Sequence, residues 1–425
     1  MRVSCLEENL AGGLAIVGRA VASRTTLPVL SNIMLATDMG RLKLAATNLE
    51  MGISCWVGAK VEEDGATTVP ARVLIDLVNA LPPERIDMEL TVRTQTLNLR
   101  CARFEANIKG IDAQEFPLIP VFQEDEGLKL EVDVLGQMIE QVAFAAATDE
   151  SRPILTGVLM HFGPASGQAQ GTNWITMAAA DGFRLSVRRE PFREREGQTS
   201  ASSVEPTSKQ TSEPWSVIVP ARTLSELARI TRAGEVRPGQ EKLVALSITS
   251  ERNQILFHQE NGHGYSIDLV SQLIEGNFPD YTQIIPTNYT IRTVAETEAL
   301  LKAVRMANIF ARDAANVIRL SIVPGSELTP GHMTVAATSA ELGDHVGEID
   351  VDVEEAGSQT SVSSVEPTGE PMNVAFNANY LIDILSRIGT AQVALETTGP
   401  SSPAVIRPVG GPDLTHVIMP VHISG

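Results

Sequence analysis

Asp181 in "AAADGFRLSV" and Glu50 in "AATNLEMGI" occupy two similar segments, and carboxylates at matching places are the first arrangement in this chain that could do acid–base chemistry. Each sits where a strand should end in a polar turn, where Asp and Asn bond their own backbone, and no second carboxylate accompanies either. His258 and His263 in "HQENGHGYS" are the one close pair among seven histidines. They bracket an Asn-Gly hairpin signal, and Glu260 reads as a turn residue too, so no metal site is expected. The chain has no GxxxxGK[ST], HExxH or GxSxG. The expectation is therefore a protein that is not an enzyme and needs no cofactor. What remains is cationic. Arg72 and Arg222 each follow a Val-Pro-Ala and fall in the first turn of an expected helix, where a cation opposes the macrodipole at a cost of roughly 0.3–1 kcal/mol. A phosphate partner would offset that cost.

The elements that carry these arginines are written twice, as "VPARVLIDLVNAL" from Val69 and "VPARTLSELARI" from Val219, with a weaker third copy, "FNANYLIDILSRIG", from Phe376. Pro70 and Pro220 suit the first helical position. Leu74, Leu77, Val78 and Leu81, and Leu224, Leu227 and Ile230, then mark one face of a helix. Four further segments recur in the same order. They are an amphipathic helix (from Leu6, Glu131 and Ala295), an apolar strand (26–35, 152–160 and 314–323), a strand ending in a polar turn (from Ala45, Ala178 and Ala336), and an extended run ending in Phe-Pro (104–120 and 265–286). The last has a third counterpart in "LTHVIMPVHI" near the C-terminus. Ordered matches at spacings of about 130–160 residues mark one unit in three copies. Alternating strands between the helices make each copy an α+β domain with two helices packed on antiparallel sheet. The boundaries read 1–122, 128–288 and 290–425. Two Ser/Thr/Glu/Pro-rich segments sharing "SSVEPT", about 194–214 and 354–371, read as one solvated loop lengthened twice.

The composition is globular, at 425 residues and 43% apolar, with no run of about 20 apolar residues and no signal-peptide core at the N-terminus. A cytoplasmic protein is expected. Cys5, Cys55 and Cys101 show no CxxC spacing and read as reduced and buried. A net charge of −19 speaks against holding nucleic acid by affinity alone.

"TLPVLSNIML", "TNLEMGI", "TTVPAR", "ADGFRL", "FPDYTQIIP" and "HVIMPV" together resemble, in order and position, the landmarks of the bacterial DNA polymerase III beta subunits, the sliding clamps, over nearly the whole chain except the two long loops. The resemblance implies three clamp-type (processivity fold) domains and a head-to-tail homodimer closing a six-domain ring, with helices inside and sheet outside. A ring holds duplex DNA topologically, so an acidic exterior is compatible with DNA in the bore. It also implies that Arg24, Arg72, Arg152 and Arg222 touch DNA, at phosphates rather than base edges. Arg19, Arg229, Arg232, Lys302, Arg305 and Arg387 add charge to the helices.

The implied partners are the replicative polymerase alpha subunit, the clamp loader, other polymerases and repair proteins, each bringing a short linear peptide and none requiring a membrane. The implied groove is lined by Leu155, Thr156, Ala180, Gly182, Phe183, Arg184, Leu185, Pro279, Gln283, Ile284, Val417, Ile418, Met419, Pro420 and Val421, with Arg184 or backbone groups fixing the peptide's polar atoms. The chain departs from the family at Phe183, where His is usual, at Gln283, where a basic residue is common, and at the ending "VHISG". The alternative is a diverged scaffold of the same fold that binds proteins and does not encircle DNA.

Overall fold

Among the described residues every α-helix starts on the residue after a strand, so the strand end serves as the cap and sets where the helix points. The computed structural model describes residues 1–22, 24–122, 127–164, 173–192, 214–232, 242–260, 265–325, 330–355 and 371–422. The first repeat runs β1 (Arg2–Leu6), α1 (Glu7–Val17), β2 (Asn32–Asp38), β3 (Arg41–Thr47), β4 (Met51–Val57), β5 (Lys60–Glu63), β6 (Ala66–Pro70), α2 (Ala71–Asn79), β7 (Arg85–Thr91), β8 (Thr96–Cys101) and β9 (Phe104–Lys109). The middle repeat runs β10 (Leu128–Glu131), α3 (Val132–Val142), β11 (Gly157–Pro164), β12 (Asn173–Ala180), β13 (Arg184–Phe192), β14 (Trp215–Pro220), α4 (Ala221–Arg232), β15 (Leu243–Ile248), β16 (Gln254–Glu260) and β17 (Ser266–Gln272). The third follows with β18 (Ile291–Glu296), α5 (Thr297–Ala311), β19 (Val317–Val323), β20 (Gly331–Ser339), β21 (Gly343–Glu355), β22 (Met372–Asn377), α6 (Ala378–Leu385), β23 (Gln392–Thr397), β24 (Ala404–Pro408) and β25 (Asp413–Ile418). The unit expected three times is present three times; β4 and β5 of the first copy correspond to the single long strand β21 of the third, whose last residues pair with β18 as β5 pairs with β1. The long loops expected at 194–214 and 354–371 fall almost entirely outside the described residues, as does the Asn-Gly turn between β16 and β17.

Local chemistry explains where the elements begin. Pro70 and Pro220 are the last residues of their strands, one position earlier than expected from the sequence. Proline is tolerated there because β6 and β14 are edge strands, where a missing N–H removes no ladder bond. The apolar runs at 26–35 and 152–160 begin as single 3-10 turns, Pro28–Ser31 and Pro153–Thr156, and become strand only afterwards. In α1, Gly13 lets the helix lie close on the sheet, since an added Cβ would come within 2.7 Å of both Leu44 and Val57. Helix faces follow the periodicity, with Leu74 and Val78 of α2 and Leu224, Leu227 and Ile230 of α4 buried.

Two compact units result, one from Met1–Gln137 with Arg222–Glu275, the other from Met138–Arg193, Gly197–Ala221 and Gly276–Gly425. The first holds the sheets β5-β1-β7-β8-β9 and β10-β15-β16-β17-β4-β3-β2-β6; the second holds one sheet of twelve strands in the order β14-β11-β12-β13-β25-β24-β23-β18-β21-β20-β19-β22. Within each unit, sheet runs continuously from one repeat into the next. Met51–Trp56 of β4 pair with β17, and Arg184–Arg189 of β13 pair with β25, both antiparallel. In each case the first six residues of the strand that follows the polar turn take up the last strand of the next repeat. Cys5, Cys55 and Cys101 are buried free thiols, and burial pushes Cys5 and Cys55 up to about 12. Among the described residues no helix is long and apolar enough to cross a membrane.

Candidate partner groove and nucleic-acid interface

The residues expected to line a groove all belong to the second unit, and the β13·β25 pairing brings most of them together. Leu185 pairs with Val417, and both are buried in one apolar cluster with Ala178, Val187 and Val405. Ala180 packs against that cluster together with Phe278, Tyr281 and Ile285. Beyond β25 the chain is held by two backbone bonds, Met419 N–H to Phe183 O and Val421 N–H to Ala375 O, each 2.8 Å. Leu155 and Thr156 lie half-buried on the Pro153–Thr156 turn, where the Thr156 hydroxyl donates to Pro153 O. Phe183 (60% exposed), Ile284 (44%) and Met419 (39%) leave apolar surface open along this line, as suits a site for apolar anchors.

Three of the expected lining residues have other neighbours within the chain. Ile418 faces away from the groove and is part of the third repeat's core, because neighbouring residues of a strand point to opposite faces. Arg184 is bonded within the chain. Its Nε donates to Asp181 (3.0 Å), Nη1 to Asp383 (2.7 Å) and Nη2 to Phe144 O (2.9 Å), and its plane stacks near the Tyr380 and Phe144 rings. Gln283 is likewise turned back, donating to Asp280 at 2.8 Å. Hydrogen bonds from Thr282 and Gln283 hold the Asp280 carboxyl below the usual range. The sequence reading missed Phe278, Tyr281 and Ile285, which pack on the cluster where Pro279 was named, and Tyr380, which stacks with Phe183 at 6.5 Å. The aromatic pair in "NFPDY" was the available signal.

The Asp181 carboxylate caps its own turn, and an amide and a hydroxyl do the same in the other two repeats. Asp181 Oδ1 accepts from the N–H groups of Phe183 and Arg184, Asn48 Oδ1 from Glu50 and Met51, and Ser339 Oγ from Glu341 and Leu342. The residue equivalent to Asp181 is thus Asn48 rather than Glu50. His258 Nδ1 bonds Asp268 at 2.6 Å, which gives it a protein partner, and Glu260 ends β16 rather than standing in a turn. Among the described residues no group of three or more potential ligands could hold a metal.

Of the arginines expected at DNA, Arg72 and Arg222 occupy the second position of α2 and α4 and are exposed. The Arg72 side chain is 95% exposed, with only Asp76 nearby at 3.8 Å. Arg24 and Arg152 are exposed in the turns ahead of β2 and β11. The supporting cations are less available. Glu226 takes both Arg19 and Arg229 at 2.9 Å, Arg305 donates to Ser386, and Arg387 bonds Asp383.

Family models covering most of the chain agree with this architecture. Those of the DNA polymerase III beta subunit match at residues 1–120 (N-terminal domain), 129–280 (central domain) and 282–422 (C-terminal domain). The beta sliding clamp of Synechococcus elongatus is 30% identical over 426 residues, spanning all of both chains, and that of Staphylococcus aureus is 28% identical over 95% of this chain and 94% of its own. The DNA polymerase sliding clamp from Bacillus subtilis superposes over the full length of both chains with a TM-score of 0.81 at 25% identity, and the beta subunit from Pseudomonas aeruginosa with 0.79 at 25%. The chain belongs to the DNA polymerase III beta subunit family, the non-catalytic beta sliding clamps.

Proposed function

We propose that two copies of this chain close head-to-tail around duplex DNA, slide on it without reading sequence, and tether the replicative polymerase, the clamp loader and other partners through short peptides seated in the groove beside Met419. Tethering turns rebinding into a local event at high effective concentration, so processivity rises without chemistry by the clamp. Opening the ring for loading falls to an ATP-driven partner, since the chain encodes no nucleotide motif. The scaffold alternative is not favoured, because the full-length relatives are clamps.

One observation carries the closure. β4 and β13 each give their first six residues to the last strand of the following repeat. The third repeat is the last of the three in this sequence, and among the described residues Gly343–Val351 of β21 pair only with β20. The first repeat is the first of the three in this sequence, and its last strand, β9, pairs only with β8 among the described strands. β21 of one copy and β9 of another are therefore the missing pair, and two such pairs close a ring and remove both free edges. Exposed apolar side chains support this reading: Phe104 on β9, and Leu342, Val346, Met306 and Ile309 beside and on β21 and α5. Phe104→Asp should weaken the dimer about 30-fold or more, as expected for a hot spot worth about 2 kcal/mol. Sedimentation at micromolar concentration reads this; a monomeric wild type, or an unchanged variant, would sink the interface.

Retention tests the function itself. The protein is loaded onto a nicked circular plasmid with a clamp loader and ATP, the complex is isolated, and the plasmid is then linearised. Release only on linearisation supports a topological clamp; no retention, with a loader that works on a control clamp, returns the scaffold reading. Arg72→Glu with Arg222→Glu should shorten retention and lower the slope of log affinity for duplex against log salt by about two, one for each phosphate that is no longer neutralised. An unchanged slope would remove these two from the DNA interface.

A further inference from the structure

The joint between the first and middle repeats, all within the first unit, is built on the same plan as the groove joint. Gln272 N–H donates to Glu50 O at 2.8 Å, just as Met419 N–H donates to Phe183 O. Asn48 caps one turn as Asp181 caps the other. Each joint opens with a Pro-led 3-10 turn, and each is covered by a Phe-Pro segment, with Phe116 and Ile119 packing on Val29 and Leu30 as Phe278 and Tyr281 pack on Leu185. Ile119 lies so close to β4 that a Cβ added at Gly52 would come within 3.2 Å of it.

This joint keeps apolar side chains in water. Leu118 is 99% exposed, Leu49 52% and Leu27 50%. Leu49 is also strained. It has φ 77, in the left-handed region, where the matching residue of the groove joint is Gly182 at φ 94. A branched side chain held at positive φ and then left in solvent favours neither folding nor solubility. The turn does not need it, since Thr47 and Asn48 supply the hydrogen bonds that shape it. Glu50 next to Leu49, Glu115 three residues before Leu118, and Glu275 three residues after the Gln272 that bonds Glu50 O are exposed carboxylates.

We propose that this joint is a second docking site, for a short extended peptide with Leu- or Phe-type anchors flanked by Lys or Arg. The proposal rests in part on reading the Met419 groove as a peptide site. A second copy of the chain is the weaker occupant, because the open strand edges lie on β9 and β21 and a few separate leucines offer far less than the roughly 800 Å² per partner of a standard interface. The carboxylates favour a basic flank, which steers encounter as well as holding the peptide.

The probe is a capped decapeptide with two leucines and a phenylalanine between lysine pairs, titrated by calorimetry into the full-length chain. Two sites per chain are expected. Met419→Asp should remove one, Leu118→Asp should weaken the other at least 10-fold, and exchanging the probe's lysines for glutamates should weaken that same site. Leu49→Gly should weaken it too without lowering Tm, a separation that mere damage to the fold would not produce. A single site lost in Met419→Asp and untouched by Leu118→Asp overturns the proposal, as does no binding at all or a change of sedimentation in Leu118→Asp. A site sensitive to Leu118→Asp alongside a silent Met419→Asp would retain this proposal and remove the groove reading instead.

Discussion

Arg184→Ala is expected to destabilise the second unit by roughly 3 kcal/mol, lowering its thermal midpoint by about 6–12 °C. The guanidinium is only 11% exposed and links Asp181 on the turn, Asp383 on α6 and the carbonyl of Phe144. Deleting it takes the cation away from two carboxylates and leaves the Phe144 carbonyl unmet, which costs more than the pair contributes while intact. Asp383 is 36% exposed and keeps Arg387 at 3.1 Å, so water and the second arginine absorb part of the loss. Arg184→Lys should not restore stability. One ammonium cannot donate along three directions while stacking near Tyr380 and Phe144. A midpoint within 2 °C of wild type for Arg184→Ala, or rescue by lysine, would show that this network carries no weight. Since the same residue sits where a partner peptide was expected to find a cation, its loss should act on the groove through the shape of the Asp181 turn, not through a bond withheld from the peptide.

What was legible in the sequence was what repeats locally. The helix faces at Leu74 and Val78 and at Leu224, Leu227 and Ile230, the polar turns, and the three-fold order of elements all follow from periods of 3.6 and 2 and from Gly, Pro, Asn and Asp at turns. Strand pairing across repeats was not legible. β4 meets β17 across more than half the first two repeats, and nothing in either strand's spacing names its neighbour. The family resemblance supplied the closed ring, while the structure identified which strands pair from one repeat to the next. Side-chain direction was lost for the same reason: Val417 and Ile418 look alike as letters, yet one lines the joint and the other fills a core. Arg184 read as a free cation because its three partners stand on separate elements.

Acid should loosen this second unit through one histidine. His416 on β25 is fully buried, with Nδ1 2.7 Å from the Ser186 hydroxyl and Nε2 without a partner among the described residues. Burial first, then the positive charge of Arg184, hold its pKa down at about 3, well under the 6.5 of a free imidazole. The sign follows from proton counting. Below pH 6.5 the unfolded chain takes up a proton that the folded chain refuses, so stability present above that pH is lost as pH falls toward the folded value, at about 1.4 kcal/mol per pH unit. By pH 4.5 the loss from this one residue reaches roughly 2–3 kcal/mol. His416→Asn can keep the bond to Ser186 but cannot titrate. It should be less stable than wild type at pH 7, because it leaves a cavity in a closed site, and the gap should narrow as pH drops. Urea midpoints of both proteins at pH 7.0, 5.5 and 4.5 read this directly, and the comparison subtracts the carboxylates common to both. Curves that stay parallel would mean that the imidazole is reached by water and protonates in place. The two residues are also coupled. Removing Arg184 removes a charge that opposes protonation of His416, so Arg184→Ala should soften the acid dependence of the same unit that it weakens at neutral pH.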